Sequence, residues 1–106
     1  MQLSITGNHI DVTDALRSYV IDKFNRVERH HDKITNVHVV LSVDKLVQRA
    51  EATMHVRGAE LFADADTPNL YASIDALAGK LDKQIQKHKG KRRSSRPAPQ
   101  EPSNDA

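Results

Sequence analysis

The chain has 106 residues, a formal net charge of +2 and no cysteine, with 16 Lys and Arg against 14 Asp and Glu. This length allows one domain with a small core, and the lack of cysteine excludes disulfides, thiolate metal sites and thiol catalysis. No signal peptide and no apolar run long enough for a membrane span is apparent in the sequence. We therefore expect a soluble, cytoplasmic protein that does not enter membranes.

The positive charges are concentrated near the C-terminus. Residues 80–96 contain eight of the basic residues and one acid, Asp82, which gives a local charge of +7. Residues 1–79 sum to −3 and residues 97–106 to −2. Because like charges repel one another, such a concentration indicates a polyanionic partner, although a solvated tail that only aids solubility would have the same composition.

The N-terminal part of the chain predicts a strand followed by a helix. Residues 2–6 alternate apolar and polar side chains, which is the period of a half-buried strand, and Gly7 with Asn8 favours a turn. Thr13 is a good N-cap for a helix of about 16 to 18 residues. The apolar residues at helical spacing on one face of this helix are Leu16, Val20, Phe24 and Val27.

The middle of the chain has the period of three strands. Residues 37–43, 50–57 and 60–66 each alternate between apolar and polar side chains, and a turn at Gly58 and Ala59 separates the last two segments. This pattern predicts an antiparallel meander with one covered face and one solvent-exposed face.

A second helix is predicted after Thr67, which would be its N-cap, with Pro68 at the first helical position. Its core face would consist of Leu70, Ile74, Leu77, Leu81 and Ile85. We expect Gly90 to end this helix and residues 91–106 to form a disordered tail, first basic and then rich in proline. The domain would therefore span residues 1–90.

This order of elements predicts an α+β fold, a β-α-β-β-β-α two-layer sandwich. If the first strand joins the second in parallel through a right-handed crossover, both helices lie on one face of a four-stranded sheet. Part of this order, a helix, three antiparallel strands and a helix, is also that of double-stranded-RNA-binding domains.

Basic residues recur on both predicted helices, away from the apolar faces. They are Lys23, Arg26 and Arg29 on the first helix and Lys80, Lys83, Lys87 and Lys91 on the second. If the helices lie side by side, these rows form one patch of about seven to ten cations, which would suit a phosphate backbone. Two ordinary solvated helix faces are the alternative. The few aromatic residues favour recognition of RNA shape and phosphates over the reading of single bases.

Polar side chains on the exposed face of the predicted sheet suggest a different function. If Val43 pairs with Ala50, His38 and His55 lie directly opposite each other. With the acids Glu60, Asp64 and Asp66 nearby, they could serve a small metal-dependent RNA-processing enzyme. Such a site needs three converging ligands, and no third ligand is identified beside the histidines, so we assign no metal or catalytic residue. His30 and His31 fit a polar helix end.

Three segments resemble the short ribosome hibernation-promoting factors and ribosome-associated inhibitors of bacteria, the sigma-54 modulation protein family. They are MQLSITGNHIDVTDALRSYVIDKF, the hairpin VHVVLSVDK…AEATMHV, and NLYASIDALAGKLDKQIQKHK. The resemblance extends from Met1 to about Lys89 and implies the β-α-β-β-β-α sandwich with two helices on one four-stranded sheet.

The resemblance also implies a function. Family members bind the small ribosomal subunit in the messenger and transfer-RNA channel, inhibit translation and preserve idle ribosomes in stationary phase or stress. They are not enzymes and need no cofactor, and we expect a monomer off the ribosome. The basic residues that match family positions are Lys23, Arg26, Arg29, Lys80, Lys83 and Lys87, while Lys89, Lys91, Arg92 and Arg93 lie where members vary.

The segment after Gly90 is too short for the second domain with which long-form relatives pair ribosomes. Short promoting factors act with a separate ribosome modulation factor, whereas related inhibitors oppose ribosome pairing. The sequence leaves open which of these two effects this protein has.

Overall fold

The computed structural model describes the backbone of residues 1–93 and the side-chain environments of residues 1–88. The elements follow in the order β1 (Gln2–Asn8), α1 (Asp14–His30), β2 (Ile34–Asp44), β3 (Val47–Val56), β4 (Ala59–Thr67) and α2 (Leu70–Arg93). This is the predicted β-α-β-β-β-α order. In the described part of the chain, neither helix is both long and apolar enough to cross a membrane.

The four strands form one sheet in the order β1-β2-β3-β4. β1 pairs with β2 in parallel, with Ile5 opposite Val39, so α1 forms the crossover between them. β3 and β4 continue the sheet as an antiparallel meander. The predicted topology is therefore confirmed.

Both helices pack against the same face of the sheet. Every predicted core residue of both helices is buried, and these side chains form one cluster with the inner face of the strands. Phe24 of α1, Leu41 of β2 and Leu81 of α2 are fully buried in it. Burial of such apolar side chains is the main force that holds the two layers together. The opposite face of the sheet is lined mainly by polar side chains.

The register of the β2–β3 hairpin differs from the one considered above. Leu41, not Val43, lies opposite Ala50, because a tight turn at Lys45 and Leu46 lets the strands pair as far as Asp44 and Val47. Lys45 adopts a φ of 58°, which a non-glycine residue rarely does, so the sequence carries no glycine signal for this turn. The expectation that His38 and His55 face each other is wrong.

Two predicted boundaries also differ from the structure, namely the end of β1 and the start of α2. β1 continues through Gly7 and Asn8, where Ile10 O would lie 2.4 Å from a Cβ at Gly7, so this close backbone approach requires glycine. Asn69, not Thr67, caps α2, since its Oδ1 accepts a hydrogen bond from Tyr71 N at 2.8 Å. Thr67 is instead the last residue of β4.

α2 continues through Gly90 to Arg93, so the prediction that Gly90 ends this helix is wrong. A glycine inside a helix costs only about 1 kcal/mol relative to alanine. The residues on both sides of it, including Lys87 and Arg92, are mostly good helix formers. Residues 91–93 are therefore helical, and the rest of the predicted disordered tail, residues 94–106, lies outside the described residues.

Candidate nucleic-acid interface

The two helices run parallel and contact each other along their length. An ion pair and a hydrogen bond join them: Lys23 Nζ lies 3.0 Å from Asp75 Oδ1, and Nε2 of His31, the C-cap of α1, lies 2.7 Å from Asp82 Oδ1. Residue numbers therefore rise together along α1 and α2. This alignment brings the basic residues in the last turns of α1 beside the middle of α2.

The outward face of this helix pair carries a set of cations that we call the helix-layer basic surface. Its described members are Lys23, Arg26, Arg29, Lys83 and Lys87. At 100° per residue, Arg29 lies about 180° from Val20, the buried centre of α1. Lys83 lies at a similar angle from the centre of the core face of α2. Both side chains therefore point away from the sheet.

Most of these cations are not neutralised. Within residues 1–88, no carboxylate lies within ion-pair distance of Arg26, Arg29, Lys83 or Lys87. Asp82 is the acid of the basic segment, but it lies at the contact between the helices, where it accepts hydrogen bonds from His31 and Gln86. Asp22 is also exposed on the outward side of α1 and offsets one charge, so the surface presents a net positive charge to solvent.

Lys23 is the exception, because it belongs to a small network between the helices. The Tyr19 hydroxyl donates a hydrogen bond to Asp75 at 2.8 Å, and Lys23 Nζ lies 5.4 Å from the centre of the Tyr19 ring. Burial acts to raise the pKa of Asp75. The hydrogen bonds from Lys23 and Tyr19, with the nearby positive charges, outweigh that effect and lower it. Asp75 thus stays ionised and offsets part of the charge of Lys23.

In the described part of the chain, Lys80, unlike Lys83 and Lys87, has a hydrogen-bond partner on the sheet. Its Nζ donates a hydrogen bond to the backbone oxygen of Asp64 at 2.6 Å, and Gln84 Nε2 donates to the backbone oxygen of Phe62 at 2.8 Å. These two side chains cover carbonyls of β4, which is an edge strand. Lys80 therefore also protects the sheet from pairing with another chain.

Two further basic residues, Lys33 and Arg57, lie near the end of α1 and were not predicted as part of the site. Arg57 N donates a hydrogen bond to Lys33 O at 3.0 Å, so the loop after α1 meets the β3–β4 turn at this end of the molecule. Near the end of α1, Arg26, Arg29 and His30 line a depression of about 230 Å³. Lys33 and Arg57 lie in turns, where helical periodicity gives no signal.

The assigned residues Lys89, Lys91, Arg92 and Arg93 follow on the last turns of α2. Their backbone continues the helix beyond Lys87, while their side chains lie outside the part that the structure describes. Four of the ten assigned residues, Arg26, Arg29, Lys83 and Lys87, are thus brought together as exposed cations on one face.

On the outer face of the sheet, the candidate metal ligands have separate partners. His38 bonds to Ser4 Oγ at 2.8 Å, and His55 Nε2 lies 3.2 Å from Glu60 Oε2. Asp66 accepts two hydrogen bonds from Arg49, and these bonds are the main reason why the pKa of Asp66 is lowered. Among the described residues, no three His, Asp or Glu side chains are placed to share a metal ion.

The outer sheet face also differs in charge from the helix layer. Its acids are Asp44, Glu51, Glu60, Asp64 and Asp66, and Arg49 is its main cation. A polyanion is therefore attracted to the helix layer and repelled by the sheet.

Comparisons with known proteins agree with this architecture. The family described as Sigma 54 modulation protein / S30EA ribosomal protein matches residues 3–93. A ribosome hibernation promoting factor of Azotobacter vinelandii is 56% identical over 91 residues, which are 86% of this chain and 85% of the relative. The factor of that name from Escherichia coli K12 is 47% identical over 91 residues, 86% of this chain and 96% of the relative.

Two solved structures share the fold. A ribosomal subunit interface protein from Coxiella burnetii has a TM-score of 0.81 at 30% identity, covering 85% of this chain and 99% of that one. The N-terminal domain of Protein Y from Thermus thermophilus has a TM-score of 0.78 at 30% identity, covering 83% and 99%. The sequence resemblance is thus confirmed, and the chain belongs to the Sigma 54 modulation protein / S30EA ribosomal protein family.

Proposed function

We propose that this ribosome hibernation factor binds the small ribosomal subunit at the messenger and transfer-RNA channel, through the helix-layer basic surface. Bound there, it inhibits translation and preserves idle ribosomes in stationary phase or stress. The observation that carries the proposal is the group of four exposed cations, Arg26, Arg29, Lys83 and Lys87, on a face opposite an acidic sheet. The names of the relatives, ribosome hibernation promoting factor and ribosomal subunit interface protein, support the same partner.

The physical reason is the release of counterions. Each cation that contacts a phosphate frees condensed ions from the RNA, so binding strengthens with the number of contacts and weakens with salt. The described surface supplies four exposed cations and the partly compensated Lys23. We include Lys80, Lys89, Lys91, Arg92 and Arg93 in the proposed contact set, with Lys80 in a double role because it also covers β4.

The proposal places the protein in the cytoplasm as a monomer before it binds. Its ribosome-binding unit is the domain that includes α2 as far as Arg93, so the basic residues Lys91, Arg92 and Arg93 belong to this helix and not to a separate tail. The protein acts without a cofactor and not as an enzyme. The separate ribosome modulation factor is the proposed partner in any pairing of ribosomes.

The alternative of a metal-dependent RNA-processing enzyme gains no support from the sheet. Its candidate side chains, His38, His55 and Asp66, contact different neighbours rather than one point. Such an enzyme would cleave RNA in Mg²⁺, Mn²⁺ or Zn²⁺, so incubation of the protein with RNA and each ion separates the two functions.

Sedimentation through sucrose gradients tests the proposal. The protein is incubated with separated small and large ribosomal subunits, and we expect it to sediment with the small subunit only. If about six cations contact phosphates, log affinity should fall with log salt at a slope of about −4 to −5. Sedimentation with the large subunit alone, or with neither, contradicts the proposal. Addition of the ribosome modulation factor to intact ribosomes in the same gradients shows whether the protein promotes or opposes pairing.

A further inference from the structure

A recess of about 430 Å³ lies where both helices begin, at the end of the molecule distant from Arg29. Its lining residues are Thr13, Leu16, Gln48, Pro68, Asn69, Leu70 and Tyr71. Leu16 and Leu70 are buried, while Tyr71 is 39% exposed. The recess therefore combines apolar and polar lining residues with an accessible aromatic side chain.

In three polar side chains of the recess the oxygen already accepts a hydrogen bond, whereas the donor group makes none among the described residues. Gln48 Oε1 accepts from Leu70 N at 2.8 Å, Asn69 Oδ1 accepts from Tyr71 N at 2.8 Å, and Thr13 Oγ1 accepts from Leu16 N at 3.2 Å. These bonds fix which end of each amide is which. Within the described residues, the two amide nitrogens and the Thr13 hydroxyl donate no hydrogen bond. The recess thus offers donors to a ligand rich in acceptors.

The aromatic side chain is held in place and adjoins the helix-layer basic surface. The rings of Tyr71 and Tyr19 meet edge to face with centroids 4.9 Å apart. The Tyr19 hydroxyl bonds to Asp75, which in turn pairs with Lys23. Because Tyr19 contacts both Tyr71 and Lys23, the recess lies beside the Lys23 end of the helix-layer basic surface.

We propose that this recess holds one unpaired nucleotide of the bound RNA, with its base stacked on Tyr71 and its carbonyl or phosphate oxygens bonded to Gln48 and Asn69. Aromatic stacking accepts any base, and the three donors favour acceptor-rich groups such as the carbonyls of uracil. This inference rests on the proposed function, since it assigns a second contact to the same RNA. The recess would let the protein recognise an unpaired nucleotide next to RNA whose phosphate backbone contacts the helix-layer basic surface.

Nuclear magnetic resonance tests the recess without the ribosome. A hexamer of uridylate should shift the side-chain amide signals of Gln48 and Asn69, while that of Gln2, at the other end of the molecule, should stay in place. Free uridine monophosphate is the second probe and should bind far more weakly, because it lacks the backbone that contacts the helix-layer cations. Equal binding of both probes, or a hexamer that shifts neither recess amide, would overturn the proposal.

Intrinsic fluorescence provides a second readout, because the chain has two tyrosines and no tryptophan. In a Tyr19→Phe variant all tyrosine fluorescence comes from Tyr71, and the hexamer should quench it by stacking. Quenching is expected to be absent if the RNA lies only on the cations.

Substitutions that keep the fold connect the recess to the ribosome. Gln48→Glu and Asn69→Asp retain the oxygen that caps α2 but replace the donor, and both should weaken hexamer binding more than Asn25→Asp, an equal charge change on exposed α1. Tyr71→Ala should weaken binding to small subunits by about tenfold, and Tyr71→Phe should restore it to within about twofold of the parent.

The two proposals can fail separately. If the parent and Tyr71→Ala bind small subunits equally well, the recess is not a contact although the proposed function stands. If the hexamer occupies the recess but no ribosomal subunit is bound, the proposed function fails and the nucleotide site remains.

Discussion

Charge reversal at Arg29 should weaken binding to the small ribosomal subunit by about 30-fold. Arg29 points away from the core on the last turns of α1, and no described carboxylate pairs with it. Two unit charges 4 Å apart in water interact with about 1 kcal/mol, so the change from attraction to repulsion costs about 2 kcal/mol. Lys83→Glu should have the same effect. The double variant should lose a factor on the order of 10³ if the two effects add.

Arg49→Glu is the matched control, because it is the same substitution on the outer sheet face. Arg49 forms an ion pair with Asp66 at 2.7 Å, so its reversal disturbs the folded protein more than that of Arg29 does. Affinity is measured by titration of labelled protein with small subunits, with inhibition of cell-free translation as the functional readout. Circular dichroism shows whether each variant is folded. If Arg29→Glu binds like the parent, or if Arg49→Glu weakens binding to the same extent, the helix-layer basic surface is not the contact surface.

Three further predictions concern the fold that presents this surface. Phe24→Ala should reduce the free energy of unfolding by about 3 to 5 kcal/mol, because it leaves a cavity in the core; a melting temperature lowered by only a few degrees would contradict this. Asn69→Ala removes the cap of α2 and should cost about 1 kcal/mol in urea unfolding, whereas Asn69→Asp should cost almost nothing. Asp75→Asn should destabilise the protein at pH 7 but much less at pH 3. Because the pKa of Asp75 is lowered in the folded protein, its ionised form stabilises the fold above the unfolded-state pKa of about 3.9. This stabilisation is lost as the pH falls through the folded-state pKa. Equal losses of stability at pH 7 and pH 3 would contradict the prediction.

The apolar pattern was sufficient to predict the elements and the core of this protein. Burial requires a period of 3.6 in helices and of two in strands, so residues such as Phe24 and Leu77 could be assigned to the core from spacing alone. Given a parallel pairing of β1 with β2, the handedness of crossovers was sufficient to place both helices on one face of the sheet. These features depend on short stretches of sequence and on general rules of packing.

The features that the sequence did not predict depend on particular atoms. The turn at Lys45 has a positive φ without glycine or asparagine, so the hairpin register had no sequence signal. Lys80 resembles Lys83 on a helical wheel, and only its hydrogen bond to the Asp64 carbonyl distinguishes it. Likewise, the Tyr19 contacts with Tyr71 and Asp75 arise because two helices distant in sequence lie parallel. Such contacts require the three-dimensional structure.

Directed cleavage by a tethered radical source shows whether the helix layer, and not the sheet, faces the RNA of the small subunit. The absence of cysteine allows single labels to be introduced. Gly79→Cys places a label on the outward face of α2, where an added Cβ meets no atom within 4 Å, and Thr53→Cys places one on the outer sheet face. With an iron chelate on each cysteine, we expect cleavage of small-subunit RNA from position 79 and none from position 53. Cleavage from position 53 alone, or from neither position while the protein is bound, would contradict the account.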